Sequence, residues 1–135
     1  MKGILADNDI IGHVAWLMQI LQGNEWCEVW QSLDLSVKSF SDLGLSADSP
    51  DDLIWRRCQE SELLLITGNR NRHEPGSLTA TIEAFNTDQS WPVFTIADPK
   101  HFLRSKAYAE RVAVRLLENL LDIDNLRGTG RMYLP

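Results

Sequence analysis

Long hydrophobic runs are missing from this 135-residue chain. Its apolar stretches are short, as in Leu63-Leu64-Leu65-Ile66, against the roughly 18 residues that suggest a membrane span. No membrane segment is therefore expected. Near the start, Asp7 interrupts the chain before the apolar core of a signal peptide could build up. Cysteine is scarce too. Cys27 and Cys58 do not make a disulfide or metal framework, which points to a cytoplasmic chain. An excess of positive charge is also absent, and a net charge of −6 argues against a protein that coats duplex nucleic acid. What remains is ordinary: 44% apolar and 24% charged residues, the composition of one globular domain.

The acids are unevenly spread. Residues 1–55 hold Lys2 and Lys38 against nine Asp and Glu, whereas residues 56–135 hold eleven Lys and Arg against ten acids. Such an acidic half is either a solvated surface or a group of carboxylates suited to a divalent cation.

Hydrophobic spacing predicts alternating strands and helices. Residues 3–6 read as a buried strand ending at Asp7, and Ile10, Val14, Leu17 and Leu21 recur at helical spacing up to Gly23. Cys27–Leu33 reads as a second strand, and residues 34–48 as a loop with one helical turn. Ser49-Pro50-Asp51-Asp52 predicts a Ser cap, a Pro at the first helical position and a helix to about Glu60 that buries Leu53, Ile54 and Cys58. Leu63–Thr67 reads as a fully buried strand, residues 68–76 as a polar loop, and Ser77 as the cap of a helix through Phe85. Val93–Ala97 is a further strand, and a long helix spans about Ala107–Leu121 with Val112, Leu116 and Leu120 on one face. This alternation predicts an α/β fold, a three-layer α/β/α sandwich on a mostly parallel sheet with right-handed crossovers. The domain is expected to cover residues 1–123, with 124–135 an extended tail or an arm onto a neighbouring subunit. Five tryptophans, with Trp26, Trp30 and Trp55 outside any one core pattern, add to the expectation of a homodimer, with a Trp-rich monomer core as the alternative.

Ligands in such sheets collect beyond the carboxyl ends of the strands. There the sequence supplies Asp7 and Asp9 after the first strand, Asn69 and Asn71 after Leu63–Thr67, and Asp98 after the last predicted strand. Asp51 and Asp52 head the helix before Leu63. Convergent oxygen ligands of this kind suit Mg²⁺ or Mn²⁺. Each residue also has a structural use: Asp7, Asp9, Asp52 and Asp98 as helix caps, Asn69 and Asn71 as turn residues. A phosphate-binding P-loop motif is absent, and His13, His73 and His101 lack metal-ligand spacing.

Ile4-Leu5-Ala6-Asp7-Asn8-Asp9-Ile10 resembles the opening of PIN-like proteins, in which a strand ends in a metal-binding Asp. Leu43-Gly44-Leu45 through Ser49-Pro50-Asp51-Asp52-Leu53-Ile54 resembles the Leu-Gly loop and acid-headed helix of small bacterial PIN-like families. Leu64-Leu65-Ile66-Thr67-Gly68-Asn69-Arg70-Asn71 resembles their strand ending in Thr-x-Asp-x-Asp. The likeness covers roughly residues 3–122. It implies a Mg²⁺- or Mn²⁺-dependent ribonuclease, often the toxin of a pair with an antitoxin-like protein partner. It further implies Asp7 as the first metal ligand and Asp51 or Asp52 as the helix-borne acid, with Asn69 and Asn71 standing where the family has acids. With the strand-edge residues added, the candidate catalytic positions are Asp7, Asp51, Asp52 and Asn69, the candidate metal ligands Asp7, Asp9 and Asp98, and the candidate contacts to single-stranded RNA Arg70 and Asn71. Asn69 and Asn71 depart from the family's acids, and an amide oxygen brings no charge to a cation. The alternative expectation is therefore a catalytically degenerate PIN-like module that binds a protein or nucleic-acid partner.

Overall fold

A computed structural model describes residues 1–68 and 76–135. Five strands form one sheet: β1 (Gly3–Ala6), β2 (Ser36–Lys38), β3 (Leu63–Thr67), β4 (Val93–Ile96) and β5 (Arg131–Leu134). The helices are α1 (Ile11–Leu21), α2 (Cys27–Leu33), α3 (Asp51–Glu60), α4 (Leu78–Phe85), α5 (Pro99–Arg104) and α6 (Lys106–Leu121). The sheet order is β2-β1-β3-β4-β5, and every neighbouring pair is parallel.

Strand residues alternate between two apolar layers. Ile4, Ala6, Leu64, Ile66, Phe94 and Ile96 pack with residues of α1 and α6, while Leu5, Leu63, Leu65 and Val93 pack with Ile54, Trp55 and Cys58 of α3 and Leu78 of α4. Both faces of β1, β3 and β4 are thus covered, which explains their apolar character. The architecture is the expected three-layer α/β/α sandwich. No helix among the described residues is long and apolar enough to cross a membrane.

Several local expectations need correction. Cys27–Leu33 is α2, not a strand. Trp26, Val29, Trp30 and Leu33 recur at helical spacing and turn one side toward the core, and this periodicity overrides the β preference of Val and Trp. Pro50 itself occupies the cap of α3, because the Ser49 hydroxyl accepts the Ser46 N–H (2.9 Å) and closes the preceding turn. In α3 the buried positions are Ile54, Trp55 and Cys58, whereas Leu53 is exposed. Ser77 caps α4 as expected, its hydroxyl accepting the Ala80 N–H (3.2 Å).

The segment expected as an extended tail contains a 3-10 turn, Ile123–Leu126, and β5, which pairs with β4 of its own chain. Its return path is pinned: Arg127 donates to the Gln89 carbonyl through two nitrogens (2.9 and 2.7 Å), and the Asn86 amide donates to the Gly128 carbonyl (2.8 Å). Gly128 has φ +87°, and a Cβ there would crowd the Asp88 backbone at 3.1 Å. The β4-to-β5 connection uses the same face as the β1-to-β2 connection but steps across the sheet in the opposite direction. These two connections therefore have opposite hands, so one breaks the right-handed rule. The β2-to-β3 and β3-to-β4 connections, through α3 and α4 on the other face, share the hand of the β1-to-β2 connection, so the β4-to-β5 connection is the exception. Trp30, Trp55 and Trp91 are buried and Trp16 and Trp26 pack against the core, which removes the exposed-aromatic argument for a homodimer.

Candidate functional site

In the β2-β1-β3-β4-β5 order, the chain leaves β1 toward one edge and builds outward from β3 toward the other. The crevice beyond the carboxyl ends of these two strands is the topological switch point where ligands bind in doubly wound sheets. Asp7 follows β1 directly, and Thr67 ends β3. Register pairs Ala6 with Ile66, which brings Asp7 level with Thr67. The Thr67 hydroxyl donates to Asp7 Oδ2 at 2.6 Å, and the Asn8 N–H donates to Oδ1 at 2.7 Å.

The Asp7 carboxyl titrates above its ordinary 3.8. Burial is the largest cause, opposed by the Thr67 hydrogen bond; the negative charges of Asp9 and Asp51 raise it further. Beneath it, Cys58 is buried and its thiol is pushed up to about 12 by burial and by the charge of Asp7. This thiol is neutral and therefore a poor nucleophile.

The remaining acids take different places. Asp9 is exposed in the 3-10 turn Asn8–Ile10, and its carboxylate lies 3.8 Å from the position a Cβ on Gly68 would occupy. That Cβ would also meet Ile10 at 3.1 Å and Pro99 at 3.2 Å, so a glycine lets β3 leave the sheet between the starts of α1 and α5. Asp51 Oδ2 accepts the Leu78 N–H at 3.0 Å and so joins the beginnings of α3 and α4. Asp52 is half-buried in the first turn of α3, where an acid complements the helix dipole. Asp98 caps α5 by accepting the His101 N–H at 3.1 Å. Asp7, Asp9 and Asp51 are thus brought within electrostatic reach, while Asp98 serves a helix start. Asn69, Arg70 and Asn71 lie outside the described residues.

Among the described residues, no group of three or more His, Cys, Asp or Glu side chains could hold a metal ion. Mg²⁺, however, is commonly bound through one or two carboxylates, with water and substrate phosphate filling the other positions. A half-buried carboxylate whose charge is opposed by two neighbouring acids fits such a cation chemically.

Two threonines were given no role by sequence reasoning. Thr95 is in register with Thr67, is fully buried, and its hydroxyl has no hydrogen-bond partner among the described residues. Asp7, Thr67 and Thr95 therefore form a polar row on the side of the sheet that faces α3 and α4. The available signal was strand parity: in β3 and β4 these threonines occupy positions of the apolar alternation.

Comparison with known protein families, characterised proteins and solved structures returns no match.

Proposed function

We propose that the Asp7 end of the sheet is the catalytic centre of a PIN-like, Mg²⁺- or Mn²⁺-dependent ribonuclease acting on single-stranded RNA in the cytoplasm. The observation that carries this reading is the Asp7 carboxylate itself. It is held at the switch point by Thr67 and kept near the charges of Asp9 and Asp51, despite its burial. Thr67 and the Asn8 N–H fix its two oxygens, so the carboxylate needs little reorganisation to accept a cation or orient a water. Asp9 and Asp51 supply further negative charge at the same edge. A bound divalent cation would polarise a phosphoryl oxygen and lower the pKa of an attacking water.

The second reading is a PIN-like module that binds an antitoxin-like protein or a nucleic acid without cleaving it. It is favoured by the neutral Asn69 and Asn71, which weaken any cation site they join. A cleavage assay separates the two. Purified protein with millimolar Mn²⁺ should cut a fluorescent single-stranded RNA, and Asp7→Asn should abolish cutting. Cleavage that survives Asp7→Asn, or wild-type protein that never cleaves, overturns the ribonuclease reading.

A further inference from the structure

The stretch Pro99–Ala109 contains Lys100, Arg104 and Lys106 and no acid, although the whole chain carries a net charge of −6. Most of its cationic character lies on α5, directly after β4. Phe102 fixes the inner side of this helix: it is fully buried, with the Trp16 ring edge-on at 5.2 Å and the His13 ring at 5.4 Å. His13 Nε2 also lies 3.0 Å from the Pro99 carbonyl oxygen, and the His101 ring lies 4.3 Å from that of Tyr108. Both contacts tie the helix to its neighbours. Lys100 and Arg104, four residues apart, are left together on the outer face beside Leu103, and all three are exposed.

This face begins at the switch point. Pro99 is 3.2 Å from the Cβ position of Gly68, the same point that lies 3.8 Å from the Asp9 carboxylate. Arg104 stands about 7.5 Å farther along the helix axis at the usual rise per residue. Ion pairs among the described residues join Lys2 to Glu62, Lys106 to Glu110 and Arg115 to Glu118; Lys100 and Arg104 have none. The Asp98 carboxylate, the nearest acid in sequence, is turned to the α5 backbone as its cap. Two uncommitted cations on a braced helix, next to a carboxylate cluster, suit an anion that is held by its backbone and presented to the acids.

We propose that Lys100 and Arg104 form a phosphate-contact rim for a single-stranded nucleic acid entering the Asp7 site, an inference that rests on the ribonuclease reading. Phosphate contacts set the position of the strand and carry no sequence information. Each neutralised phosphate releases counterions, so the rim has a thermodynamic signature that does not depend on cleavage.

The test is the salt dependence of binding to a fluorescent single-stranded RNA, measured by anisotropy on the full chain in EDTA between about 50 and about 200 mM NaCl. The plot of log binding constant against log salt should lose about 0.7 of its negative slope for Lys100→Ala or Arg104→Ala, and about 1.4 for the double variant. Lys100→Arg and Arg104→Lys should restore it, and Lys2→Ala, whose side chain pairs with Glu62, should leave it unchanged. All are surface changes, and an unchanged thermal midpoint verifies the fold. A double variant with the wild-type slope overturns the rim, as does wild-type protein with no salt-dependent binding. Failure of the ribonuclease reading shows elsewhere, as cleavage indifferent to Asp7→Asn.

Discussion

Toward α1 and α6 the sheet presents Ile4, Ala6, Leu64, Ile66, Phe94 and Ile96; toward α3 and α4 the same strands run from Leu5, Leu65 and Val93 into Asp7, Thr67 and Thr95. The first face is apolar from end to end and gathers most of the buried side chains, including Val112, Leu116 and Leu120 of α6. On the second face the apolar layer stops one residue early, and polar groups follow at the carboxyl edge. Apolar packing stabilises a fold in proportion to the area removed from water, whereas a half-buried carboxylate beside two other acids opposes folding. The difference teaches where this molecule gives up stability: at the switch point and on one face only.

Chemical reactivity separates the faces most widely. With its thiol near pKa 12 instead of 9.0, buried Cys58 holds about a thousandfold less thiolate at neutral pH than an ordinary cysteine. A thiol reagent should therefore modify half-exposed Cys27 in the folded protein and reach Cys58 only after denaturation. Equal labelling of both in the native state would break the comparison.

Next in size are core deletions. Phe94→Ala, on the apolar face, should cost about 3–5 kcal/mol in denaturant unfolding because the fully buried ring leaves a cavity. Thr67→Val, of nearly equal volume, should cost about 1.5–3 kcal/mol at neutral pH, since Asp7 loses a donor to its charged form. The same change should raise the Asp7 pKa further, a shift readable by NMR titration of the carboxyl carbon. The smallest effect belongs to Thr95→Val. Its hydroxyl is buried without a partner among the described residues, so removing it should stabilise the protein by about 1 kcal/mol. A large loss there would mean that the hydroxyl is engaged in the folded protein.

The sequence made the apolar face legible because its patterns are long: the 3.6-residue spacing of α1 and α6 and the unbroken run of β3 leave little choice. Short elements were harder. β2 has three exposed residues, α5 has six behind a proline, and β5 becomes a strand only because β4 offers it an edge. In α2, aromatic and β-branched residues suggested a strand while their spacing specified a helix. At the site, Asp7 was visible as a carboxylate after a buried strand, and Asp9 and Asp51 do act on its charge. Its hydrogen bond to Thr67 was not visible, because it depends on the register between strands sixty residues apart. Asp98 had two uses open to it, cation ligand or helix cap, and the structure shows the cap.

The most direct test of the central claim is the thermal midpoint of wild type and Asp7→Asn, with and without Mn²⁺, across pH. Because folding raises the Asp7 pKa, its contribution to stability is fully present below 3.8 and is lost as pH rises through the folded value. Without metal, Asp7→Asn should therefore melt higher than wild type at pH 7, with a difference that shrinks as pH falls toward 3.8. Mn²⁺ at about 100 times its dissociation constant should stabilise wild type by about 2.7 kcal/mol and leave Asp7→Asn unmoved. An Asp7→Asn protein that melts lower at pH 7 and gains as much from Mn²⁺ as wild type would contradict the claim that this carboxylate is retained for a cation at the expense of stability.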